Sequence, residues 1–179
     1  MSRIGRKEIE LPDAVKVTFS NKELKVTGPK GELSQKVLDG IEFDIQEKQI
    51  LVSRKGDTKS LKSLHGLYRS LLNNMIIGVE KGFTRRLELN GVGYRAQLKG
   101  SDVINFSVGY SHPVEFTVPK GVECQIVDNT KVVLTSHDKQ LVGECAAKIR
   151  RIRPPEPYKK KGIKYAEEII RGKAGKSAK

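Results

Sequence analysis

The chain of 179 residues has no tryptophan, two cysteines, three histidines and only 6% aromatic residues. Each shortage excludes something. Cys124 and Cys145 are too few for the disulfide framework of a small secreted domain, and a soluble protein of a reducing compartment is expected. No Cys-x-x-Cys or His-x-x-x-His spacing occurs, so paired zinc ligands are lacking and neither a metal nor a cofactor is expected. No apolar run reaches the roughly 18 residues a membrane helix needs. The opening Met1-Ser2-Arg3-Ile4-Gly5-Arg6-Lys7 is basic but has no apolar stretch behind it, so it does not read as a secretion signal. Carboxylates are the last shortage: 21 Asp and Glu face 34 Lys and Arg, a formal net charge of +13. Such an excess attracts phosphate polymers or anionic surfaces and disfavours cationic ligands.

The charge is unevenly spread. Residues 148–179 hold 12 basic and 3 acidic residues, and so carry +9 of the +13. Solubility alone requires no such gradient; charge gathered at one end reads as a contact surface.

The body in front of it reads as a duplication. Gly40-Ile41-Glu42 with Ile45 matches Gly121-Val122-Glu123 with Ile126, and Leu51-Val52-Ser53 matches Val133-Leu134-Thr135 about one residue further out of phase. In the first copy, strands are expected over 15–19, 24–27, 33–38, 41–45 and 50–53, with a turn at Gly28-Pro29-Lys30-Gly31. Leu61, Leu64, Tyr68, Leu71, Leu72, Met75, Ile76 and Val79 then recur at helical spacing, from a start near Asp57. The second copy repeats the order. Strands are expected over 83–90, 94–98, 103–108, 114–118, 122–127 and 132–135. A helical stripe of Leu141, Val142, Cys145, Ile149 and Ile152 follows, starting near Asp138. The expected class is α+β: two duplicated domains, 1–82 and 83–179, each a small, mostly antiparallel sheet packed on one helix, with a basic C-terminal tail over 154–179.

Catalytic motifs fail on geometry. Ser136-His137-Asp138 spells a triad in a row, but neighbouring side chains on a strand diverge, and Asp138 fits better as a helix cap. Cys145 lies on the apolar stripe and His65 at a core edge or surface, while His112 precedes Pro113 in a loop. Gly175-Lys176-Ser177 lacks the first glycine of a phosphate-binding loop, since position 170 is Ile170. Gly28-Pro29-Lys30-Gly31 has the Gly-x-x-Gly spacing of KH domains, but that loop joins helices and here strands flank it, so it reads as a hairpin turn; Gly91-Val92-Gly93 reads as a bend or bulge rather than a nucleotide site. No enzyme and no small-molecule substrate is expected.

The strongest signal lies between Lys148 and Lys164. Lys148, Arg150, Arg151 and Arg153 close a helix with more cations than its dipole calls for. Pro154 and Pro155 end the helix and, with Pro157, are expected to stiffen an extended arm. Tyr158 offers a flat ring beside Lys159, Lys160 and Lys161, and Gly162 permits close backbone approach. Cations with one aromatic ring suit RNA: ammoniums displace counterions from phosphates and the ring stacks or bonds to sugar. Candidate RNA-binding residues are these, with Lys164, Arg171, Lys173 and Lys176.

Pro155-Glu156-Pro157-Tyr158-Lys159-Lys160-Lys161-Gly162-Ile163 closely resembles the signature of the family of bacterial large-subunit ribosomal protein six. Ser2-Arg3-Ile4-Gly5, the stretch from Leu24 to Gly31, and Gly91-Val92-Gly93-Tyr94-Arg95-Ala96 also resemble it. The family usually has Gly or Ala where this chain has Lys160. The resemblance implies a cytoplasmic, ribosome-bound structural protein without catalytic activity, made of two similar α+β domains. It further implies binding of large-subunit ribosomal RNA, mainly through the C-terminal domain and tail. Neighbouring ribosomal proteins are implied too, with a place near the stalk base and the site of the translational GTPases. Tyr158, Lys159, Lys161 and Gly162 match the signature; the flanking cations rest on charge. A free-standing RNA-binding regulator is the alternative.

Overall fold

A computed structural model describes residues 4–100, 102–173 and 175. By its internal contacts the chain divides into two compact units, Met1–Phe83 with His137–Lys139, and Thr84–Ser136 with Gln140–Lys179.

The first unit contains β1 (Ile9–Glu10), β2 (Lys16–Ser20), β3 (Glu23–Gly28), β4 (Gly31–Lys36), β5 (Ile41–Ile45), β6 (Gln49–Arg54) and α1 (Lys59–Glu80). Asn21 and Lys22, at φ 50° and 61°, join β2 to β3 as a two-residue turn whose twist suits antiparallel strands. Thr58 caps α1 by accepting a hydrogen bond from the Leu61 amide at 3.3 Å. Asp57, expected near the helix start, pairs with Arg54 at 2.7 Å and Lys62 at 2.9 Å. The strands form two sheets, β1-β6-β5 and β2-β3-β4, where the sequence suggested one. α1 packs against β3, β4, β5 and β6, touching both sheets. Alternation is why this works: Leu24, Val26, Ile41, Ile50 and Val52 turn inward to meet Tyr68, Leu72, Ile76 and Val79 of the helix. His65 is buried too, its ring nitrogens 2.8 Å from the Val52 carbonyl and 3.2 Å from Arg54.

The second unit contains β7 (Phe83–Asn90), β8 (Arg95–Lys99), β9 (Val103–Ser107), β10 (Val114–Thr117), β11 (Glu123–Val127), β12 (Lys131–Ser136), α2 (Lys139–Ile152) and β13 (Gly162–Tyr165). Its sheets are β10-β9-β8 and β11-β12-β7-β13. The α+β class and the duplication expected from sequence hold: in each copy one strand, a three-stranded meander and a hairpin precede a helix. With β7 standing where β1 stands, β5-β6-β1 and β11-β12-β7 have the same order. The second meander turn also meets the helix end in both copies. In the first, the Lys30 amide donates to Val79 O at 2.9 Å and Lys30 Nζ to Lys81 O. In the second, Tyr110 Oη donates to Ile152 O at 2.8 Å. These contacts satisfy carbonyls that a helix C-terminus leaves free.

The copies differ after the helix. α1 has 22 residues and α2 has 14. Pro154 and Pro155 stop the second helix early, since each lacks an amide donor. The chain then returns as β13, which extends the sheet beside β7.

Candidate nucleic-acid interface

β13 corrects the expected tail. The segment from 154 is not an extended arm: after Ile152 it turns at 157–159 and comes back antiparallel along β7. Ile163 pairs with Leu89, is fully buried, and donates its amide to Arg153 O at 2.7 Å. The sequence missed this strand because Gly-Ile-Lys-Tyr among lysines and prolines has one strongly apolar residue and no flanking alternation.

The result is a closed loop. The Glu156 amide donates to Lys161 O at 2.9 Å, tying its two ends together. Gly162, at φ 141°, explains why the loop can close. A Cβ there would lie 2.5 Å from Pro155 Cα and 2.7 Å from the Pro154 carbonyl, all of it backbone that cannot yield. The loop presents Tyr158, 61% exposed, and the exposed Lys159, Lys160 and Lys161. Lys160 has φ 57°, a left-handed conformation that side chains disfavour. The following chain folds back onto the loop, with the Lys173 amide donating to Pro157 O at 3.0 Å.

The candidate residues separate into two groups. Arg150 is spent internally: Nε and Nη2 donate to the two carboxylate oxygens of Glu168 at 2.8 and 2.5 Å. The Arg150 guanidinium holds the Glu168 carboxyl below the usual carboxylate range. Glu168 also accepts from the Tyr165 amide at 3.2 Å, so this pair anchors the end of β13. Lys164 pairs with Glu88 at 2.9 Å across the β7–β13 ladder, and Gly162 is buried under the prolines. Arg153 lies with its guanidinium carbon 5.0 Å from the centre of the Tyr110 ring. Lys148, Arg151, Lys159, Lys160, Lys161, Arg171 and Lys173 are exposed and, among the described residues, make no ion pair. Lys176 lies outside the described residues.

Two groups near this surface escaped the sequence reading. Tyr110, in the loop between β9 and β10, meets Ile152 O and the Arg153 guanidinium, contacts that local sequence does not signal. Val92, at the tip of the β7–β8 loop, is 96% exposed. The triad candidate is otherwise engaged, since Ser136 Oγ donates to Gly121 O at 2.7 Å. Among the described residues no His, Cys, Asp and Glu cluster is arranged to hold a metal ion, and no helix is long and apolar enough to cross a membrane.

A model of the family described as Ribosomal protein L6 matches residues 11–82 and 90–166, one stretch in each copy. The chain is 54% identical to the large ribosomal subunit protein uL6 of Geobacter sulfurreducens, over all of this chain and 99% of that one. It is 53% identical to the uL6 of Natranaerobius thermophilus and 50% identical to that of Listeria innocua, each over the full length of both chains. A matched repeat of two α+β units, carrying the family's Tyr-Lys and Lys-Gly signature on a loop closed by prolines and a strand, places the chain in the ribosomal protein L6 family, a structural and non-enzymatic component of the ribosome.

Proposed function

We propose that this chain is a structural protein of the large ribosomal subunit that binds large-subunit ribosomal RNA through the C-terminal end of its second unit. One observation carries the reading. A loop closed by the Glu156–Lys161 backbone hydrogen bond holds Tyr158 and three consecutive lysines in solvent, with no counter-carboxylate among the described residues, while Arg150 and Lys164 of the same segment are neutralised internally. Cations left unpaired on a rigid support bind phosphates with less ordering cost than cations on a free tail. Lys148, Arg151, Lys159, Lys160, Lys161, Arg171 and Lys173 meet phosphate oxygens, with Lys176 beyond the described chain as a further cation. Tyr158 stacks on a base or bonds to a ribose. Arg150, Arg153, Lys164 and Gly162 support the loop and the strand behind it. Recognition is by shape, because the major groove of duplex RNA is too narrow to read.

The test is a salt titration against purified large-subunit ribosomal RNA. Neutralising about six phosphates lowers affinity roughly 10³-fold between 50 and 200 mM salt. Replacing Lys159, Lys160 and Lys161 with Gln weakens binding and flattens that dependence. An unchanged slope would remove these lysines from the interface. A place near the stalk base and the translational GTPases rests on the family resemblance, and cross-linking within intact subunits tests it. Recovery of the protein apart from large subunits after sedimentation in high salt would point to a free-standing regulator instead.

A further inference from the structure

We propose that the Gly91–Val92–Gly93 tip is a second, uncharged element of the same RNA surface, which packs against ribose edges in the shallow groove of a duplex whose phosphates the lysine loop holds. The inference rests on the RNA-binding reading above and extends it to residues that carry no charge. Single exposed aliphatic residues are ordinary on protein surfaces; the setting of this one is not. Val92 is 96% exposed on a tip that is built into the fold. The Tyr94 amide donates to Gly91 O at 3.1 Å, closing the turn. The Tyr94 ring packs over Gly91, where a Cβ would come within 2.9 Å of it, and beside Gly109, where one would come within 3.3 Å.

Two further observations choose the partner. The first is continuity. Asn90, two residues before Val92, pairs with Gly162, the residue after Lys161, so the tip and the lysine loop rise from adjacent strand ends. The second is shape. Gly91 and Gly93 adopt φ of 154° and 77°, and a Cβ on Gly93 would meet nothing within 4 Å. The backbone is therefore bare on the Gly93 side and backed by the Tyr94 ring on the Gly91 side, and one small branched side chain projects into solvent. That form enters the wide, shallow groove of A-form RNA, which displays sugars and 2′-hydroxyls. An apolar protein partner at the same place would have to cover the unpaired cations of Lys159, Lys160 and Lys161.

Val92→Ser and Val92→Asp in the full chain test this against purified large-subunit ribosomal RNA between 50 and 200 mM salt. Val92 packs on almost nothing, so both variants are expected to keep the thermal midpoint of the parent. Val92→Ser is expected to weaken binding roughly three- to tenfold at every salt concentration with an unchanged slope, because it removes apolar contact and no phosphate contact. Val92→Asp is expected to weaken it further by facing phosphates with a like charge. If Val92→Asp binds as the parent does while the triple lysine variant is weakened, the inference fails and the RNA reading stands. If both variants bind RNA normally but enter large subunits poorly, the tip touches protein and the inference is overturned. If the parent chain itself ignores the RNA at 50 mM salt, both readings fall.

Discussion

Lys160 carries a cation where the backbone asks for glycine. A left-handed φ of 57° costs a residue with a Cβ about 1–2 kcal/mol, part of which glycine returns through its greater freedom when unfolded. Lys160→Gly is therefore expected to raise stability by roughly 0.5–1 kcal/mol in chemical denaturation, while removing one cation from the loop. Gly162 is the opposite case. Gly162→Ala drives a methyl into the Pro154–Pro155 backbone, and a loss of about 3 kcal/mol is expected from overpacking and strain together. Of the two cysteines, Cys145 is buried and Cys124 half-buried. Desolvation pushes both thiols up to about 11, with the neighbouring Cys145 adding to the effect at Cys124. Neither is expected to alkylate readily at pH 7 until the protein unfolds, which mass spectrometry with and without denaturant would show.

At the scale of elements, β13 turns the end of the chain from an appendage into part of the core. Removal of everything after Ile149 is expected from charge alone to leave a folded protein that no longer binds RNA. The structure reverses the first half of that expectation. The cut takes away buried Ile163 and the partner of Leu87, Glu88, Leu89 and Asn90 along β7. Losing one such core side chain costs about 2–5 kcal/mol, and the truncated chain is expected to lack cooperative unfolding of its second unit by calorimetry. The Arg150–Glu168 pair adds a pH dependence. Its hydrogen bonds with Arg150 lower the Glu168 carboxyl in the folded state, so the pair's contribution is complete above the ordinary carboxylate range. It is lost as pH falls through the lowered folded value. With charge-assisted bonds worth on the order of 1–2 kcal/mol after solvent screening, Glu168→Gln is expected to destabilise the protein near pH 7 and make little difference near pH 2. Amide exchange at Tyr165, which Glu168 also accepts from, is a local readout.

At the scale of the whole molecule, the proposed RNA surface lies where the two copies differ. Both copies have the strand, meander, hairpin and helix, and both close the helix end with a meander turn. Only in the second, among the described residues, do two prolines shorten the helix and a further strand join the sheet. That strand holds in place a loop with three consecutive exposed lysines, Lys159, Lys160 and Lys161. Much of this was legible in the chain. Helical spacing from Leu61 to Val79 located α1, and the alternating strands fell within a few residues of their observed limits; the Tyr-Lys and Lys-Gly signature marked the segment, though not its closure into a loop. Cation identity did not reveal cation availability: Arg150 and Arg151 are neighbours, yet one is clamped by Glu168 and the other faces solvent.

Periodicity, proline and net charge act locally or additively, so by itself the sequence determined the α+β class, the duplication, the helix ends and the excess of positive charge at the C-terminal end. Pairing between residues distant along the chain is neither local nor additive. Tertiary structure alone decided that Gly162–Tyr165 lies against β7, that Glu168 and Glu88 neutralise Arg150 and Lys164, and that the turn carrying exposed Val92 and the lysine loop rise from paired strand ends. Those outcomes depend on which backbone edges and charges meet, and that is settled only when the core closes.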